Sequence, residues 1–309
     1  MDFLRFLDFM VWVTKLIILV NLALAYILSA IRLRYTVVNF NGNILFEGNM
    51  LNLYKCINAV CCFLLISSCS SQVKTPKNMS FGDAEFVESV ITHVLYHELG
   101  HAVFREFKIP VLANEENMAD AFATAYIVKY DRENAIDIVT RRALSWMLED
   151  SEVEPANYDL MGEHELDIRR AYRTLCQTYG ADPAEWENYF TWVGFSENDL
   201  NGCSETSPAV EEEWQRIFSG IRSDSKLHKD LINVRYGNSH LNDYVKELGM
   251  LERLAEEASK FNWPNSIEIY FSVCDGGAYW SKQYRIITLC DRYVERFIEQ
   301  GKKINKFTK

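Results

Sequence analysis

His97 and His101 stand four residues apart in the run His97-Glu98-Leu99-Gly100-His101, inside an apolar, helix-forming stretch. Residues four apart on a helix share a face, so the two imidazoles can grip one metal ion together. Glu98 flanks that face and can reach a water held by the same ion. Two imidazole ligands with a carboxylate base are the parts needed for zinc-assisted hydrolysis. The set needs a third ligand, and the following segment offers one. Ile109-Pro110 stops the first helix, because proline cannot continue it and restricts the residue before it. Asn114 is the expected N-cap of a second helix, with Glu115 and Glu116 in its first turn, where the helix dipole favours acids. Glu116 and Asp120 then share a face. Glu116 completes a two-histidine, one-carboxylate set that leaves a fourth position open for water. Asp120 can accept the outer N–H of a liganding imidazole and fix its tautomer. The plainer alternative, an acidic and solvated helix start, loses ground directly behind the double-histidine helix.

Four of the six histidines remain. His93, one turn before His97, reads as a partly exposed cleft residue rather than a ligand. His164, among Glu163, Glu165 and Asp167, is a candidate catalytic group that could stabilise an oxyanion as water attacks a carbonyl. It could equally be a helix-start histidine bridging acids. Tyr172 and Tyr279 are weaker oxyanion candidates, and Arg170 is expected to pair with an acid. His228 and His240 lie in polar, loop-rich sequence and read as solvated. There is no glycine-rich phosphate loop and no nucleophile elbow.

The residues so far resemble the gluzincin metallopeptidases, whose pattern is HExxH followed by ExxxD on a second helix. More closely, the chain is similar to a family of metallopeptidase-like proteins of bacterial envelopes, grouped as a domain of unknown function. The resemblance runs from about residue 88 to residue 291. It rests on Tyr96-His97-Glu98-Leu99-Gly100-His101-Ala102, Ile109-Pro110-Val111-Leu112 and Glu115-Glu116-Asn117-Met118-Ala119-Asp120. Glu163 to Arg170, Tyr172, Leu175-Cys176 and Tyr179 to Pro183 extend it, as do Cys274, Ala278-Tyr279 and Ile287 to Cys290. Where the family carries Asn before Ala-Tyr and Tyr-Glu-Leu after the last cysteine, this chain has Gly277 and Asp291-Arg292-Tyr293.

These groups need elements to carry them. Phe86, Val90, Val94, His97 and His101 recur at helical spacing and predict one inward face on a helix from Ala84. Further helices are expected over Asn114–Tyr130, Arg132–Glu149, Glu163–Tyr179 (with Gly180 as C-cap), Pro183–Phe190, Ala209–Ile221, Asn242–Phe261 and Arg292–Gln300. Ile267–Val273, Ala278–Trp280 and Tyr284–Leu289 read as an up-down-up meander. The expected fold is mainly α with a small β-sheet (α+β), a zincin-like domain built on the HExxH helix.

Ahead of it lie two apolar segments. Phe9–Ile31 could span a membrane with some tilt. Cys56–Ser68 is too short to span but suits a signal-peptide core, and it ends in Leu65-Ile66-Ser67-Ser68-Cys69, which resembles the lipobox of bacterial lipoproteins. Read from Met50, residues 50–69 form a complete lipoprotein signal with Cys69 as the lipidated residue. Residues 1–49 are then an over-extended start; the rival reading keeps them as a transmembrane anchor. Residues 70–83 make a linker and 84–309 the metallopeptidase-like domain. Both readings put the domain at the membrane, facing the periplasm or exterior.

Eight cysteines fit that compartment. Cys176, Cys203, Cys274 and Cys290 remain beyond the signal, an even number suited to two disulfides in an oxidising space. The first and third strands end on the same side, which pairs Cys274 with Cys290 and leaves Cys176 for Cys203. A net charge of −11, with no basic patch interleaved with aromatics, argues against nucleic acid as a partner. The expected function is zinc-dependent hydrolysis of peptide bonds, with Zn²⁺ on His97, His101 and Glu116 and Glu98 as base. The rival is an envelope lipoprotein that binds a partner and whose metal site is structural or degenerate.

Overall fold

The computed structural model describes residues 34–38, 44–49, 81–111, 114–223, 225 and 227–307. They fall into two units, residues 1–72 with 307–309, and residues 73–306. In the first, β1 (Arg34–Val38) and β2 (Ile44–Asn49) form an antiparallel pair, Arg34 opposite Asn49, with an irregularity at Val37/Val38. The expected apolar segments Phe9–Ile31 and Cys56–Ser68, and Cys69 itself, lie outside the described residues. Among the described residues no helix is long and apolar enough to cross a membrane.

The second unit is organised around α1 (Phe81–Glu106). The spacing predicted a single inward face, yet α1 is buried on nearly all sides: Val87, Val90, Ile91, Leu95, Leu99 and Val103 all lose their solvent. A helix apolar all round belongs at the centre of a domain. Helices α2 (Glu115–Tyr130), α3 (Arg132–Ser151) and α8 (Met250–Ala258) pack on it, and the small sheet closes its remaining side. α1 ends where Lys108 turns left-handed (φ 55°) and the Ile109 N–H reaches back to the Phe104 carbonyl at 2.9 Å, ahead of Pro110. Asn114 caps α2, its side chain accepting from the Asn117 N–H at 3.0 Å. Gly100 lets α2 close in, because a Cβ there would stand 3.0 Å from the Phe122 ring.

Beyond α3 the boundaries depart from expectation. α4 runs Asp167–Ala181, so Glu163–Leu166 stays outside the helix, bent at Glu163 and His164, and Gly180 lies inside the helix rather than capping it. α5 (Pro183–Trp192) is capped by Asp182. α6 spans Glu197–Ile221 and starts well before Ala209, because a capping box at Ser196 and Asp199 nucleates it and Pro208 is absorbed in its interior. The disulfide Cys176–Cys203 (Cα–Cα 5.1 Å) staples α4 to α6. The helix expected over Asn242–Phe261 is split by Gly249, left-handed at φ 63°, into α7 (Asn242–Leu248) and α8.

The sheet holds β3 (Ile232–Tyr236), β4 (Ile267–Ser272), β5 (Ala278–Ser281) and β6 (Ile286–Cys290), in the order β3-β4-β6-β5. β3 was not anticipated. The directions are up-down-up as expected, but the meander is wrong: β6 inserts between β4, to which it is parallel, and the antiparallel edge strand β5. Cys274 and Cys290 need that order. Two strand spacings across a meander would part them by roughly 9–10 Å, beyond disulfide reach, whereas here their Cα atoms are 5.0 Å apart and bonded. α9 (Asp291–Phe307) closes the chain against α3, where Gln300 bonds Ser145 and Glu149. Helices dominate and the sheet is minor, an α+β fold.

Candidate active site

His97 and His101 project from one face of α1, and Glu116 comes from the first turn of α2. Their metal-facing atoms converge. His97 Nε2 lies 3.1 Å from His101 Nε2 and 3.1 Å from Glu116 Oε2, and His101 Nε2 lies 3.4 Å from the same oxygen. A tetrahedral ion with bonds of about 2.0–2.1 Å separates its ligand atoms by roughly 3.3 Å. The triangle therefore has the size that a tetrahedrally coordinated metal ion requires. These three residues form the one group of potential metal ligands found among the described residues.

The outer nitrogens are also engaged. The His97 Nδ1–H donates to Asp120 Oδ1 at 2.8 Å, and the His101 Nδ1–H to Glu115 Oε1 at 3.1 Å. Each bond fixes the tautomer that turns an Nε2 lone pair toward the centre. Asp120 is held in turn by Arg170, whose Nε and Nη2 approach its two oxygens at 2.8 and 3.0 Å. Burial opposes charge on Asp120, but Arg170 and His97 keep its carboxyl well below the usual range. Burial likewise works against Glu116, yet His101, His164 and His97, which donate to it when their imidazoles are protonated, hold its carboxyl well below the usual range. Burial would lower His97, but Asp120 and Glu116 raise it to about 9.

Glu98 is buried beside this triangle. Burial pushes its carboxyl up, countered by His97, His101 and a hydrogen bond from the Trp280 backbone N–H. Trp280 belongs to β5, which pairs with β6 on one side only. The free side of β5 thus faces the candidate base, and α1 carries that base against it.

With the site's geometry described, comparison with known proteins becomes informative. Residues 52–218, more than half of the chain, match the model of a family described as "Putative metallopeptidase". The chain belongs to this family. No curated protein matches it, and no solved structure does. In this metallopeptidase family member the matched stretch covers α1 to most of α6 and stops at Phe218, so the sheet and α9 lie beyond it.

The remaining sequence candidates divide. His164, at a bend before α4, brings Nε2 to 2.8 Å from Glu116 Oε2 with its side chain 48% exposed. That segment is tied to α2 by Asn114 donating to the Glu163 carbonyl and Asn117 to Glu165. His93 is not partly exposed but fully buried, set edge-on to Trp146 at 5.3 Å and outside the ligand triangle. Tyr279 lines the cleft with Glu98 and His101, whereas Tyr172 lies tilted against Phe195, outside that lining. His228 contacts Asn262 and His240 contacts Glu295, both remote from the triangle. Sequence reasoning missed the roles of Glu115 and of the Trp280 N–H. Glu115 could have been found from its place beside the ligand on the turn that faces His101; a backbone donor leaves no such signal.

Two clefts flank the centre and share Glu98, His164 and Ala278. One, of about 720 Å³, lies on the side of His101, Glu115 and Trp280. The other, of about 540 Å³, lies on the side of His93 and His97 and reaches α3, α4 and α9.

Proposed function

We propose that this chain is a zinc-dependent metallopeptidase that hydrolyses peptide bonds in the cell envelope. The observation that carries the reading is the convergence of His97, His101 and Glu116 at tetrahedral spacing with buried Glu98 alongside. The zincin-like description of the domain rests on this arrangement and on the family. His97, His101 and Glu116 would hold Zn²⁺, which would supply Lewis acidity toward a water and a scissile carbonyl. Glu98, its carboxyl raised by burial, takes the water's proton and hands it to the leaving amine. Asp120, fixed by Arg170, holds His97 in its donor-outward tautomer, and Glu115 does the same for His101. His164 sits on the open side of Glu116, where its Nε2–H can donate to that carboxylate or to an oxyanion formed in the cleft. Closed structural zinc sites use four protein ligands, whereas three ligands and an adjacent base suit turnover.

For the location, we propose the lipoprotein reading: a start at Met50, lipid on Cys69 and a domain facing the periplasm or exterior. The family match opens at residue 52, and two disulfides suit an oxidising compartment. Cys69→Ala should then abolish labelling with radioactive palmitate and leave an uncleaved precursor. Peptides from residues 1–49 recovered from the membrane-bound protein would instead support a transmembrane anchor.

The catalytic test uses metal analysis with a peptide-library assay on the detergent-solubilised protein. One zinc per chain is expected, lost in His97→Ala and Glu116→Ala. Glu98→Gln should retain the ion and lose hydrolysis. Full occupancy in Glu116→Ala, or hydrolysis surviving in Glu98→Gln, would remove the assigned roles. Stoichiometric zinc in a wild-type protein that cleaves nothing would favour the binding-protein reading.

A further inference from the structure

The cleft on the His93 side of the centre has an unusual charge for so acidic a chain. Arg142, Arg170, Arg292 and Arg296 line it, against Glu98 and Asp120. Asp120 is committed to Arg170 and His97. Arg296 meets Glu149 at 3.2 Å, and Arg292 meets Glu295 at 3.1 Å and Asp275 at 3.8 Å; both arginines are more than half exposed, so these pairs exchange readily. Arg142 differs. It is 3% exposed, lies over the Trp146 ring at 4.0 Å, and has no carboxylate within 4 Å among the described residues. Its Nη1 donates to Ser145 Oγ, but its Nε has no hydrogen-bond partner. His93, 1% exposed and lining the same cleft, likewise has an unpartnered Nε2.

Buried polar atoms left without partners are costly, and a buried guanidinium with no carboxylate in direct contact more so. Arg142 and His93, each carrying such an atom, line a cleft of about 540 Å³, a volume ordinary for ligand sites, together with Arg292 and Arg296, and this cationic lining describes a receptor for an anion. We propose that this cleft binds a carboxylate. On the metallopeptidase reading, on which this identification of the ligand rests, it is a carboxylate of the substrate beside the scissile bond. Arg142 and His93 form the floor, while Arg292 and Arg296, one turn apart on α9, form the rim. The carboxylate is either an acidic side chain or a free C-terminus, both of which the planar guanidinium forks match.

Two measurements test this. The zinc-loaded protein is given amidated peptides differing only in Glu or Gln, then a Gln peptide with a free or amidated C-terminus. One of the two pairs should show a preference of about tenfold or more in kcat/KM for the anionic member, which names the source. In the double variant Arg292→Gln/Arg296→Gln, solvent-facing enough to fold, that ratio should fall to within about threefold. Separately, titration calorimetry on the metal-free protein should detect succinate but not succinamide, with affinity weakened about tenfold in the double variant and in Arg142→Lys. Preferences within twofold for both pairs, or succinate affinity untouched by the substitutions, would overturn the proposal. Arginine-dependent succinate binding without cleavage of any peptide would leave the anion site standing and sink the peptidase reading.

Discussion

At the scale of residues, the commitment of His97 Nδ1 to Asp120 decides how the centre responds to substitution and to pH. Asp120→Ala should weaken zinc affinity by roughly ten- to a hundredfold without abolishing binding, measured by competition with a chelator. In the metal-free protein, His97 is raised from 6.5 to about 9. A raised folded-state pKa contributes stability in full below the unfolded value, and that contribution is lost as pH rises through the folded value. The thermal midpoint of the metal-free protein should therefore fall between pH 6.5 and 9. The zinc-loaded protein should show no such fall, since an imidazole ligand has already lost that proton. An equal fall in His97→Asn would assign the effect elsewhere. Helical periodicity made His97, Glu98, His101, Glu116 and Asp120 legible, because four-residue spacing on two helices fixes which side chains can meet. Glu115 was passed over because only one of two adjacent acids was given the inward face, yet the first turn of α2 brings both to α1.

At the scale of elements, Gly180 shows how a local rule can give a wrong boundary. A glycine followed by Pro183 reads as a helix end, but here its missing side chain is needed inside α4. A Cβ at Gly180 would stand 2.7 Å from the Cys203 carbonyl and closer still to the Ser207 side chain. Gly180→Ala should destabilise the fold by about 1–3 kcal/mol through overpacking, read from chemical denaturation, and Ser207→Gly should restore part of the loss. A stability unchanged in Gly180→Ala would mean that α4 and α6 part freely. The start of α6 was misplaced in the opposite sense, because the capping box twelve residues before Pro208 nucleates a helix that carries the proline within it. Strand directions were readable from alternation, whereas the insertion of β6 was not. Neighbour order in a sheet is decided by what covers its faces, and here α1 and α8 lie against it.

For the whole molecule, two disulfides tie elements together, α4 to α6 and the end of β4 to the end of β6. The disulfides close loops with sequence separations of 27 and 16 residues. Loop-closure entropy assigns each about 3 kcal/mol. Cys176→Ser and Cys274→Ser should each lower the denaturation midpoint, with the second also loosening β5, detectable as faster amide exchange at Trp280. Exchange at Trp280 that stays slow would show that β5 is held by its ladder alone.

The strand order has a consequence for synthesis. β5 is made before β6 but has no neighbour in the sheet until β6 slots in beside β4. His97, His101 and Glu116 leave the ribosome within one short stretch, long before Cys290. On the metallopeptidase reading, the candidate ligands are therefore made early, while the wall that donates to Glu98 is still missing. The centre is finished only when the final strand is threaded home, so a half-made chain would carry the cradle for an ion without the groove in which a peptide would lie.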